Sequence, residues 1–161
     1  MATAAFPIRE LSADVQFEAA YAQKAFWSVA DGVQRGQFHL RLWYKTQQLN
    51  GSMDRLIEGQ QRLIACLQNA DMAQFTLDDF GKQASDLERL VAMTTAFVDA
   101  ASEMPEKCVS VRRPKLETIS ELAGHLDNFA ESFRIASNQE CTAALAKVAR
   151  GVMAREVVPA H

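Results

Sequence analysis

The sequence predicts an all-α protein: an antiparallel helical bundle of four to five helices, built as one domain over residues 1–161. Three observations predict it. Apolar residues recur at spacings of three, four and seven through almost the whole chain, the period of a helix with one buried face. Strand-like alternation is nearly absent, and its best instance, Cys108-Val-Ser-Val111, is short and runs into Arg-Arg-Pro. Only seven Gly and four Pro in 161 residues leave little material for turns.

The first helical stretch is expected from about Ser12 to about Leu49. Ser12 suits an N-cap, and Asp14 falls in the first turn, where the helix dipole favours an acid. Val15, Ala19, Ala22, Phe26, Val29, Val33, Leu40 and Tyr44 form one apolar stripe. Gly32 and Gly36 interrupt it, each costing about 1 kcal/mol relative to Ala in a helix interior. A kink near Gly32/Gly36, or two helices joined around Asp31-Gly32, is therefore expected.

Asn50-Gly51 reads as a stop and Ser52 as the cap of a second helix over about 53–69. There Met53, Leu56, Ile57, Gln60, Leu63, Ile64 and Leu67 keep the a/d spacing with one polar residue, Gln60. Thr76 and Asp79 have capping-box spacing and start a third helix that runs to about Glu103. Leu77, Phe80, Ala84, Leu87, Val91, Thr94, Val98 and Ala101 mark its buried face, widened by Leu90, Met93 and Phe97. Met104 to Arg113 is the longest irregular stretch. Pro114 suits the first turn of a fourth helix with Leu116, Ile119, Leu122, Leu126, Phe129 and Phe133 inward. Ser137-Asn138 is expected to break it, leaving a short fifth helix over about 139–155. Residues 1–11 and 157–161 are expected to be disordered tails.

The segment FHLRLWYKTQQL, Phe38 to Leu49, is the densest in candidate binding residues. At about 100° per residue, Phe38, Leu42 and Leu49 fall on one side and Leu40, Trp43 and Tyr44 on the other. Extended backwards, the Phe38 side reaches Trp27 and Phe17 but also Lys24, Asp31 and Arg35. A helix with two apolar faces needs two neighbours, either within its own bundle or in another chain. Trp, Tyr and Arg are the types enriched at binding hot spots. The candidate partner- or ligand-binding residues are thus Trp27, Phe38, Arg41, Leu42, Trp43 and Tyr44.

Composition narrows the class. The apolar share of 48% and charged share of 23% are those of an ordinary globule, and the net charge of −3 gives no sign of a nucleic-acid binder. No run approaches the roughly 20 apolar residues of a membrane span. The start, MATAAFPIREL, lacks the pattern of a secretory signal. Cys66, Cys108 and Cys141 are odd in number and far apart, which predicts free thiols and a cytoplasmic setting.

Spacing argues against most chemistry. Glu121 and His125 stand at i, i+4, whereas di-iron carboxylate bundles use Glu-x-x-His twice with two further Glu. No zinc pattern and no Gly-rich phosphate loop occurs, and no metal or cofactor is expected. The residues after His125, Leu-Asp-Asn-Phe, do not match the pattern of phosphotransfer bundles. Cys66 and Cys141 lie on apolar stripes and read as core. Cys108 differs: with Lys107, Arg112 and Arg113 nearby it is the one candidate reactive thiol, because cations lower a thiol's pKa. Residues 71–107 hold eight acids against three cations, read as a solvated face.

In length, in Gln and Ala content and in long early helices the chain is similar to phasins, the amphipathic proteins that coat polyester granules. That likeness is one of composition and carries no motif; the two Trp, three Cys and the Pro114-led helix depart from it. It implies a surface-coating role. The residues themselves predict a non-enzymatic bundle that acts through protein contacts, with self-association to a homodimer. The alternatives are a sensor or carrier holding a small apolar ligand between Trp27, Trp43 and Tyr44, and the phasin-like coat.

Overall fold

The computed structural model describes residues 5–37, 39–104 and 112–157, with side chains described between Pro7 and Asn138. Four helices account for nearly all of them: α1 Ala5–Gln34, α2 His39–Gln68, α3 Leu77–Ser102 and α4 Arg113–Val157. Among the described residues there is no strand. The all-α bundle is as the periodicity predicts.

The helices form two antiparallel hairpins, α1/α2 and α3/α4, packed one on the other. α1 lies against α3 and runs in the same sense: Arg9 and Gln16 both reach Asp86, while Phe26 meets Phe97 further along. α2 lies likewise against α4, with Gln60 bonded to Ile119 and Lys115 to Asn50. The connection 69–76 therefore crosses the bundle. It contains a short 3-10 turn, Met72–Gln74, capped by the Asp71 carboxylate on Ala73 N–H.

Heptad spacing builds the core. α1 buries Ile8, Ser12, Val15, Ala19, Ala22, Phe26 and Val29, and α4 buries Leu116, Ile119, Ala123, Leu126, Ala130 and Phe133. In α2 the buried row is Thr46, Leu49, Met53, Leu56, Gln60, Leu63 and Leu67; in α3 it is Ala84, Leu87, Leu90, Thr94, Phe97 and Ala101. These are the alternating steps of three and four that keep one seam turned to its neighbours. Phe75, Phe80 and Phe133 close the lower end with ring centroids 5.5–6.0 Å apart.

Several expected boundaries move. α1 begins at Ala5, not at Ser12, and Ser12 is a buried residue within it rather than a cap. The first stretch is two helices, and they join at Arg35–Gln37 rather than at Asp31-Gly32. Gly36 has φ +64°, its N–H donates to Val33 O, and Gln37 N–H donates to Gly32 O. That pair of bonds is the Schellman C-cap, which needs a left-handed residue and so favours Gly.

α2 runs straight through Asn50-Gly51-Ser52, where a stop was expected. Leu49, Asn50, Ser52 and Met53 are all buried there, so packing outweighs the local preference for a turn. Ser52 Oγ donates back to Gln48 O inside the helix instead of capping. The Thr76–Asp79 capping box forms as expected: Asp79 N–H donates to Thr76 Oγ1 and Thr76 N–H to an Asp79 carboxylate oxygen. α4 passes Ser137-Asn138 without a break, so the separate fifth helix is not formed.

Candidate functional site

The break at Gly36 resets the phase of the chain, and this rearranges the predicted site. α1 and α2 pair in antiparallel register, with Val15 beside Gly59, Glu18 beside Arg55, and Leu42 beside Gly32. In that register Thr46 and Leu49 turn into the core and Leu42 is half-buried against the end of α1. Leu40 and Tyr44, expected to continue the buried stripe from Val15, are instead exposed by 75% and 59%. Trp43 is also outward, at 55%.

Leu40, Trp43 and Tyr44 thus come together on the first two turns of α2, flanked by His39 and Arg41 around an open apolar hollow. Trp27 is exposed too but stands elsewhere. Its edge of α1 is the one that carries Arg9 and Gln16 towards α3, and it does not line the hollow at the start of α2. Its indole packs edge-on to Phe26, centroids 5.2 Å apart. Trp27 and Trp43 therefore do not line one pocket. Phe38 and Cys108 lie outside the described residues.

A second exposed aromatic group stands on the outer side of α1. Phe17 stacks on Tyr21 at 6.4 Å between centroids, and the Arg55 guanidinium lies 5.7 Å from the Tyr21 centroid. Arg55 also pairs with Glu18 at 3.5 Å. Beside them a hollow of about 340 Å³ between α1 and α2 is lined by both signs of charge: Asp14, Glu18 and Glu58 against Arg55 and Arg62. Tyr21 and Arg55 were not among the predicted candidates. The i, i+4 spacing of Phe17 and Tyr21 was a usable signal, because such residues are neighbours on a helix.

Five of the eight acids of 71–107 make structural contacts. Asp71 and Asp79 cap, Asp78 pairs with Lys82, Asp86 with Arg9, and Glu88 with Arg134. Hydrogen bonds from the Thr76 backbone N–H and hydroxyl hold the Asp79 carboxyl below its ordinary value. The hydrogen bond to Glu88 raises Arg134 further above an already high value. Both displacements come from contacts that hold helices in place. Glu121 and His125 are both exposed on α4. Among the described residues no group of three His, Cys, Asp or Glu is placed to hold a metal ion, and Cys66 is a half-buried free thiol. No helix among the described residues is long and apolar enough to cross a membrane.

No protein-family model, no curated protein and no solved structure matches the chain.

Proposed function

We propose that this chain is a helical-bundle protein that acts through protein contacts, beginning with association between two copies, and performs no catalysis itself. The observation that carries the reading is where the large apolar side chains are left in water. Among the described residues nine are exposed: Phe17, Tyr21, Trp27, Leu40, Trp43, Tyr44, Met72, Leu77 and Ile135. Six of the nine belong to α1 and α2, so one hairpin carries most of the unpartnered aromatic surface. Exposed apolar groups gathered in patches, as Phe17 is with Tyr21 and Leu40 with Trp43 and Tyr44, mark contact sites more often than single ones do.

The outer face around Phe17 and Tyr21 suits a second copy. A two-fold interface is self-complementary: each surface must offer what the other requires. Arg55 and Arg62 beside Asp14, Glu18 and Glu58 supply both signs on one patch. Tyr21 with Arg55 supplies a ring and a guanidinium, the kinds of group that anchor interfaces.

Light scattering on the purified chain over a concentration series tests this. A dimer is expected, and Phe17→Glu with Tyr21→Glu is expected to give a monomer with an unchanged melting temperature. A monomer at the highest soluble concentration would defeat the self-association. A dimer indifferent to both substitutions would move the contact elsewhere.

A further inference from the structure

We infer that the start of α2 is a docking surface for an anionic lipid interface, a property separate from the association just proposed. Three observations meet there. The first is the angular order of the side chains. At about 100° per residue the sequence around the helix is His39, Trp43, Leu40, Tyr44, Arg41. Three exposed apolar residues occupy an arc of about 100°, with an ionisable residue on either flank. That is the pattern of a helix lying at a membrane surface: Trp, Tyr and Leu in the interface, and cations at headgroup level.

The second is charge. The chain carries a net charge of −3 with His neutral, yet from Gly36 to Met53 there are two cations, Arg41 and Lys45, and no acid. The one nearby acid before this stretch, Asp31, is ion-paired with Arg35 at 3.1 Å. The first turn of α2 also has no acid to offset the positive end of its dipole. The excess of positive charge opposes pairing of this patch with its own copy, so the occupant is anionic.

The third is shape and place. The apolar side chains project from a single helix, and no second element faces them across the open hollow. They sit at the end of the α1/α2 hairpin, and long helical side chains lean towards the helix N-terminus, here towards that end. A fluid interface conforms to side chains that project from one helix without a second wall; a folded acidic protein would need a surface shaped to match them. The occupant is therefore a bilayer surface rich in anionic phospholipid, touched without being crossed.

Sedimentation with vesicles, combined with tryptophan emission, tests this on the full chain. Vesicles mixing phosphatidylglycerol with phosphatidylcholine should carry the protein down and shift emission to the blue. Pure phosphatidylcholine vesicles should bind about tenfold or more weakly, and raised salt should release the protein. Arg41→Glu should lower affinity about tenfold, by electrostatics, and Trp43→Ser with Tyr44→Ser should abolish the blue shift. All these positions are exposed, and unchanged melting curves would establish that the variants fold. Phe17→Glu with Tyr21→Glu should leave lipid binding intact, which separates this surface from the dimer contact. Absence of binding to anionic vesicles at low salt overturns the inference and leaves an acidic protein as the occupant. Binding that survives the α2 substitutions, or that proceeds with loss of the cooperative melt, overturns it equally.

Discussion

Val15 of α1 and Gly59 of α2 meet where a side chain at residue 59 would begin: a Cβ there would lie 3.1 Å from Val15 Cγ2. Val15 is 1% exposed and held by the core, so it has little room to yield. The glycine is the device that lets the two helices of the first hairpin come this close, at a cost in helix propensity of about 1 kcal/mol.

A larger residue at 59 should force the hairpin apart. Gly59→Leu is expected to lower stability by about 1–3 kcal/mol, the usual cost of overpacking. Gly59→Ala should change it by less than about 1 kcal/mol, because the propensity gain offsets the tight contact. Urea melts of Gly59→Leu alone and with Val15→Ala give the coupling between the two sites. Additive losses would show that the residues do not press on each other.

Most of the buried heptads were readable from the sequence, and so was the Thr76 cap, since both depend on spacing alone; Leu77, expected on the buried face of α3, sits in its first turn and is exposed. What misled was local turn chemistry. Asn50-Gly51 reads as a stop, yet the row Thr46, Leu49, Met53, Leu56, Gln60 runs across it without a gap in phase. A seam of buried side chains outweighs two poor helix formers. Gly32 and Gly36 raise the opposite difficulty, because only one of them ends the helix. The left-handed φ falls at Gly36, and Gly32 remains helical beneath Leu42 and Gln37. Carrying one helical phase through both glycines put Leu40 and Tyr44 inside, where the break at Gly36 turns them out. Arg55 could not be joined to Tyr21 before the hairpin register was known, since 34 positions of chain separate them.

Gln60 is the polar member of the α2 seam and is fully buried. Its Nε2 donates to Ile119 O at 3.2 Å, while its Oε1 has no protein partner. A buried acceptor without a donor costs about 1–3 kcal/mol, more than one neutral hydrogen bond returns. Gln60→Met, similar in volume, should therefore raise stability by about 1 kcal/mol in a thermal or urea melt. A clear loss instead would mean that the bond to Ile119 fixes α2 on α4 and is worth more than the orphaned oxygen costs.

The capping box makes stability depend on pH at the acid end. Thr76 holds the Asp79 carboxyl below its ordinary value of 3.8, first through the backbone N–H and then through the hydroxyl. A depressed folded-state pKa stabilises fully above the unfolded value and is lost as pH falls through the lower folded one. NMR titration of the Asp79 carboxyl in the folded protein should give a midpoint below 3.8. Asp79→Asn should flatten the acid limb of the stability curve. Thr76→Ala should cost about 1 kcal/mol at neutral pH by removing the side-chain cap. An Asp79 midpoint at or above the ordinary value would show that the box is open in solution.

Leu40 and Leu49 separate the two faces of α2. Leu40 is 75% exposed and Leu49 is fully buried. Had the first two helices been one, Leu40 would share the seam with Val33 and Val29, and polar substitution there would be costly. With the break at Gly36, Leu40→Gln should alter stability by less than about 0.5 kcal/mol, as surface changes do. Leu49→Ala should cost about 2–5 kcal/mol through the cavity it leaves. Comparable losses at both positions would restore the single-stripe reading and remove the exposed face on which lipid docking at the start of α2 depends.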